Sequence, residues 1–386
     1  MSEKTVRLFD LEPETRAFDA VVLACEAAKD GGFDVVLDRT AFFPEGGGQG
    51  ADHGTLGEAR VLDAHETAGV IRHRTDKPLA VGARVRGAVD PERRLAMSQQ
   101  HTGEHILSGL VHGLYGYDNV GFHIGSDAVT VDFNGVLTPE DVDRVERLAN
   151  ECVWRNQPVR VSVPDPETLA HTVYRSKKAL EGDVRIVTID GVDCCACCGT
   201  HVPFTGQVGQ IKVLSCIHYK GGVRLSILCG MRALAYENAL LRENRAVSQA
   251  LSAKPGTLAE AVERLKRERD EALYRLEAAA VAEFAYLAEA ESGKAVRVVW
   301  ADRLPAAQLR KAAGRLAEGA RLALVLIGKK EGGWQFALSG SQDVRPAAKA
   351  LCASFGGKGG GPADMVQGTL AGGEPEEMRK VLEGPV

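Results

Sequence analysis

Pro91-Glu-Arg-Arg-Leu-Ala-Met-Ser-Gln-Gln-His101-Thr-Gly-Glu-His105-Ile-Leu-Ser-Gly-Leu-Val-His-Gly-Leu-Tyr115-Gly116 is where the chain changes its periodicity. Proline suits a first helical turn, where its missing amide hydrogen leaves no bond unmade, and glycine suits a stop, so the stretch predicts a helix through Arg94 to Tyr115. Upstream, Phe33-Asp-Val-Val-Leu-Asp, Ala59-Arg-Val-Leu-Asp and Ala83-Arg-Val-Arg-Gly-Ala-Val alternate or run apolar between glycine-rich turns. That is the pattern of strands in a small antiparallel β-barrel or sandwich. Downstream, a second helix is expected from about Pro139 to Asn156, then strands around Val159 to Val163, Val184 to Ile189, Gln207 to Leu214 and Gly222 to Leu228. The fold class is therefore α+β, with a barrel-like domain over 1–90 and an α+β domain over 91–230.

Residues 231–292 are rich in Ala, Leu, Glu and Arg and are interrupted at Lys254-Pro255-Gly256. A 4,3 spacing from Leu258 to Ala290 places apolar residues along one face, which predicts a helical arm or coiled coil broken at Pro255. From 293 to 386 strands and helices alternate, the expectation for a compact α/β domain, with the glycines of Gly356 to Gly361 expected as a loop.

The chain has 386 residues, 45% of them hydrophobic and 26% charged, with a net charge of −5. A chain of this size exceeds one hydrophobic core, and its composition excludes a disordered or collagen-like protein. No stretch reaches the ~18 apolar residues of a membrane span, and the first residues lack a signal-peptide core, so a cytoplasmic location is expected. Charge is uneven. Residues 294–386 carry 14 Lys/Arg against 9 Asp/Glu, and the remainder 33 against 43. A basic module on an acidic protein suits contact with a polyanion.

Nine cysteines in a reducing compartment read as metal or redox chemistry, the more so because four crowd into Cys194-Cys195-Ala-Cys197-Cys198. His101 and His105, four apart, share one face of the expected helix, and Cys197-Cys198-Gly199-Thr200-His201 repeats that spacing with a thiolate and an imidazole. Together they form a closed set of borderline-soft ligands, which zinc prefers. Cys194, Cys195 and Cys198 are alternative ligands or small buried hydrophobes, and the two C-x-x-C pairs also admit a redox role. His101-x-x-Glu104-His105 also matches an inverted zinc-peptidase motif with Glu181 as the candidate to complete the ligands; that reading leaves Cys197 and His201 without a task, and Glu104 on a soluble helix usually faces water. A third feature, Thr40-Ala-Phe-Phe-Pro-Glu-Gly46-Gly47-Gly48-Gln49-Gly50, is a glycine-rich loop whose backbone can approach a ligand; it lacks the Gly-Lys-Ser/Thr of a phosphate loop.

In their order, Gly47-Gly48-Gln49, the His101/His105 pair and Cys197-Cys198-Gly-Thr-His201-Val resemble the editing domain of alanyl-tRNA synthetase. Phe355-Gly-Gly-Lys-Gly-Gly-Gly-Pro-Ala-Asp-Met-Val-Gln-Gly is similar to the glycine-rich segment of that enzyme's C-terminal domain. With editing motifs from about residue 40 onward, the resemblance is to the free-standing alanyl-tRNA editing proteins, the AlaX family, of the long type. One departure is visible, since Cys198 stands where the synthetase usually has glycine.

The resemblance implies a hydrolase that deacylates mischarged alanine tRNA, carrying serine or glycine, at a Zn2+ site of His101, His105, Cys197 and His201. It implies that Gln49 and the loop amides position substrate or water, and that Thr40 senses the serine side chain. Gly357, Lys358, Gly359 and Gly360 are expected to contact the RNA backbone through exposed amides and one positive charge, and the alternative role for this end of the chain is a homodimer through the helical arm or C-terminal domain. A non-catalytic zinc-structured tRNA-binding protein and a zinc metallopeptidase are the alternatives.

Overall fold

A computed structural model describes residues 4–29, 31–176, 184–329 and 332–384 of the chain. Two compact units are formed, Met1–Asn244 and Arg245–Val386.

The first unit begins with a closed six-stranded barrel, which decides barrel over sandwich. Its strands run Ala17–Ala27, Phe33–Leu37, Val70–Thr75, Ala59–Thr67, Gly54–Leu56 and Arg84–Val89 around the wall, antiparallel throughout. Alternation sends Phe18, Val22, Val35, Leu37, Leu56 and Val61 into the interior, where Phe42 joins them. Closure leaves no free sheet edge to protect.

The helix Pro91–Tyr115 follows directly, and its ends are those the sequence predicts. Asp90 caps it by accepting from the amides of Glu92 and Arg93, and Gly116 ends it at φ 71°. Its middle is unusual, because Ser98, Gln99, Gln100, His101, Thr102, Glu104 and His105 are all buried. Buried polar groups must find partners. Gln100 Nε2 donates to the Cys229 carbonyl at 2.8 Å, and its Oε1 accepts from the Cys229 amide at 2.8 Å. A side chain at Gly103 would collide with Cys229 and one at Gly109 with Val192, so these two glycines permit the close packing.

The four-stranded antiparallel sheet behind this helix has the order Ile211–Tyr219, Gly222–Cys229, Val129–Phe133, Asn119–Ile124. Pro139–Arg155 is the second helix, and Ile106, Leu107, Val131, Val145, Ile211 and Leu225 share the core. A three-stranded antiparallel sheet, Val159–Ser162, Ile186–Ile189 and Asp193–Ala196, carries the cysteine-rich segment. The strand expected over Gln207 to Leu214 is displaced. Thr205–Val208 is a 3-10 turn, and the strand starts at Ile211, after Gly209 turns the chain at φ 82°.

The arm consists of Gly230–Ala250 and Leu258–Ala290, separated at the expected break. In the second unit a five-stranded mixed sheet has the order Val296–Trp300, Leu322–Lys329, Gly333–Gly340, Met365–Leu370, Gly357–Gly360. The first pair is parallel and the others antiparallel. Phe284 of the long helix packs with Leu309, Ala313, Val325 and Ala337 beside this sheet. The glycine-rich segment, expected as a loop, is instead an exposed edge strand, Gly357–Gly360, because each residue pairs with Met365–Leu370.

Candidate metal centre

Helix geometry places His101 and His105 one turn apart, with ring centroids 5.4 Å from each other. The segment after the strand Asp193–Ala196 brings His201 to 4.8 Å from the His101 ring and 4.9 Å from the His105 ring. Cys197 Sγ lies 3.3 Å from His101 Nε2 and 3.8 Å from His201 Nε2. One donor atom from each of the four falls within 4.8 Å of all the others. The four ligands read from the sequence are therefore assembled, although 96 residues separate His101 from Cys197.

This donor set fits zinc. With Zn–S near 2.3 Å and Zn–N near 2.0–2.1 Å, a tetrahedral site has an S···N edge of about 3.5 Å, which the two observed sulfur–nitrogen separations straddle. The Nδ1 atoms of two imidazoles are occupied elsewhere, which leaves Nε2 for the ion. His101 Nδ1 lies 2.8 Å from Gln49 Oε1, and His105 Nδ1 lies 2.8 Å from Asp193 Oδ2. Burial opposes ionisation of the Cys197 thiol, but His101, His105 and His201 outweigh it and hold its pKa well below the ordinary thiol value. His105 is raised well above its ordinary value: burial works against its charge, and Cys197 and Asp193 prevail. His201 is pushed down to about 3, chiefly by burial.

Gln49 is buried at 1% exposure, and both the nitrogen and the oxygen of its amide are hydrogen-bonded. Its Nε2 donates to Thr200 Oγ1 at 2.8 Å, and its Oε1 accepts from the Thr200 amide at 3.2 Å as well as from His101. Gly47 and Gly48 adopt φ 61° and 83°, and any side chain at Gly48 would strike Phe122. Phe122 in turn packs on His101 at 4.8 Å between centroids. Thr40 is placed differently. Its hydroxyl lies 2.8 Å from His73 Nε2 and accepts from the Phe42 amide at 3.1 Å, fully buried at the start of the glycine-rich loop.

Glu104, expected to face water, is buried at 2% exposure and accepts hydrogen bonds from Ser108 at 2.5 Å and from Asn119. The helix is enclosed on that side by the Asn119–Ile124 strand, so no aqueous face remains there. Glu181, the other residue of the peptidase motif, lies outside the described residues. Among the remaining cysteines, Cys195 is buried with its thiol raised to about 11, Cys194 Sγ lies 3.7 Å from Thr188 Oγ1, and Cys198 is exposed.

Spacing alone did not reveal the outer partners. Arg175 grips Asp193 through two bonds, 2.8 and 3.0 Å. Arg185 Nη1 donates to the carbonyls of Cys197 and Gly199 at 2.7 and 3.0 Å and fixes the ligand loop. Their partners are distant in sequence or are backbone atoms, so only Asp193, four residues before a ligand thiol, offered a signal.

Comparison with known proteins gives three family-model matches. These are the Threonyl and Alanyl tRNA synthetase second additional domain over residues 184–225, tRNA synthetases class II (A) over 14–93, and the DHHA1 domain over 292–384. The alanine–tRNA ligase of Thermofilum pendens is 32% identical over 98% of this chain and 43% of its own length. That of Pyrobaculum neutrophilum is 34% identical over 96% of this chain and 43% of its own. The alanyl-tRNA editing protein AlaX-L of Pyrococcus horikoshii is 36% identical over 61% of each. The chain thus spans less than half the length of these ligases. The additional-domain match contains the Cys197–His201 segment and the DHHA1 match covers the second sheet, so in sequence the chain is similar both to alanine–tRNA ligases and to the AlaX-L editing protein.

Proposed function

We propose that the chain is a trans-editing deacylase that hydrolyses the ester joining serine or glycine to the 3′ end of alanine tRNA, at a zinc centre of His101, His105, Cys197 and His201. The observation that carries this reading is the convergence of those four donors beside the glycine-rich loop, in a chain whose relatives are named for alanine tRNA. Such an enzyme answers a physical need. An alanine pocket cannot exclude glycine by size, and it rejects an added hydroxyl only weakly.

Water adds to the ester carbonyl carbon, the bond to the ribose oxygen breaks, and free amino acid and tRNA leave. His101, His105, Cys197 and His201 would hold a zinc ion, which would supply Lewis acidity to an oxygen of the water, ester or terminal ribose. Gln49 keeps His101 in one orientation, and through Thr200 it ties the ligand loop to the glycine-rich loop. The amides of that loop approach substrate where no side chain intervenes, and act as fixed dipoles. Thr40, anchored on His73, sets the start of the loop and carries discrimination of the serine side chain through it. Gly357, Lys358, Gly359 and Gly360 contact the RNA backbone. The cytoplasm, where tRNA is charged, is the site of action, and the described residues contain no helix long and apolar enough to cross a membrane.

The test is release of amino acid from serine-, glycine- and alanine-charged alanine tRNA by the purified protein. Serine or glycine should be released and alanine retained. Binding without release of any would leave a tRNA-binding protein and end the enzymatic reading. Cys197→Ser should lose zinc and activity together, and Glu181→Ala should keep both; the opposite pattern identifies a peptidase-type ligand set.

A further inference from the structure

The three imidazoles of the centre are braced unequally. His101 Nδ1 is held by Gln49, whose amide is itself fixed on Thr200, and Thr200 Oγ1 also accepts from Ser98 Oγ at 2.9 Å. His105 Nδ1 is held by Asp193, a carboxylate gripped twice by Arg175. His201 Nδ1 is buried, yet no hydrogen-bonding group among the described residues takes it up.

The backbone around His201 is nevertheless firm. The Thr200 amide donates to Gln49 at 3.2 Å and the Val202 amide to Thr102 at 3.1 Å, so the main chain on both sides is held, while the ring is fixed only on its Nε2 side, beside Cys197 Sγ. His201 also lines a groove of about 410 Å³ with Leu95, Ser98, Pro203 and Gln207. An imidazole held by an outer partner has its ring orientation and basicity set in advance, whereas one without it must be ordered at each binding event.

We propose that His101 and His105 are the permanent ligands and that His201 is the exchangeable one, swinging aside when an oxygen ligand enters from the groove. The inference rests on the metal-binding part of the reading above. It removes a conflict in that reading, since four protein ligands close a tetrahedral site while hydrolysis needs an open position. Asp193 and Gln49 are positioning residues in this scheme.

The experiment is zinc affinity of the full-length chain by competition with a chromophoric chelator. Asp193→Asn and Gln49→Ala should each weaken zinc about 10- to 100-fold. His201→Ala should keep one zinc per chain and lose no more than those variants, whereas His101→Ala and His105→Ala should lose more. His201→Gln, with the metal-free melting temperature of every variant, separates misfolding from ligand loss. In the cobalt-loaded protein, the thiolate-to-cobalt absorption should persist in His201→Ala and vanish in Cys197→Ser. The visible bands of Asp193→Asn should shift at saturating cobalt, which simple destabilisation would not produce. Equal losses for all three histidines in folded variants would overturn the hierarchy alone. A wild-type chain that binds no zinc would overturn the metal reading with it.

Discussion

A methyl group at Gly199 would be driven into the His101 ring and would sit 3.1 Å from Gln49 Oε1. Gly199→Ala is therefore expected to weaken zinc at least tenfold in the chelator assay, by displacing a ligand without removing one. His73 supplies a second prediction. Burial lowers its pKa to about 4 from an ordinary 6.5, opposed by its bond to the Val35 carbonyl. As pH falls below 6.5 the unfolded chain takes up a proton that the folded chain refuses, so stability falls between pH 6.5 and 4, by roughly 3 kcal/mol in all. His73→Gln should flatten that loss in urea titrations of chelator-treated protein. At this scale the four converging donors were legible because each pair is four residues apart, a local relation. Arg175 was not, and Asp193 was marked only by its place four residues before Cys197, because their roles depend on His105, 88 residues before Asp193 on a helix that the three-stranded sheet faces.

The helix Pro91–Tyr115 was readable as an element, since the proline at its start and the glycine at its stop are local signals. What fixes it against the barrel was not. Arg94 and Asp52 form an ion pair with both side chains at 1% exposure; Arg94 Nη2 also donates to the Ala41 carbonyl at 2.6 Å, and Asp52 accepts from the Phe43 amide at 2.7 Å. The pair locks both ends of the glycine-rich loop to the ligand helix. Asp52→Asn should cost about 3–5 kcal/mol in denaturant unfolding, because it strands a buried guanidinium. Sequence reading failed most clearly at Gly357–Gly360, where glycine's poor strand propensity points to a loop. Pairing with Met365–Leu370 overrides it, a nonlocal effect that no window on the chain reveals.

On the scale of the whole molecule, the basic residues 294–386 lie within the second unit, Arg245–Val386, and the acidic remainder includes all of the first. In the proposed role the second unit meets RNA, so Lys358→Ala in the full-length chain should weaken tRNA binding and reduce the salt slope of log K by about 1. An unchanged slope removes Lys358 from the contact. The order of the donors along the polypeptide has a further consequence for how the centre is made. At a synthesis rate of about 5–20 residues per second, the thiolate loop leaves the ribosome roughly 5–20 s after the paired imidazoles, given the 96 residues between them. In the proposed zinc centre, the nascent chain would thus present a two-nitrogen chelate before it can present sulfur, and selection of the final ion would fall to the last stage of biosynthesis of this segment.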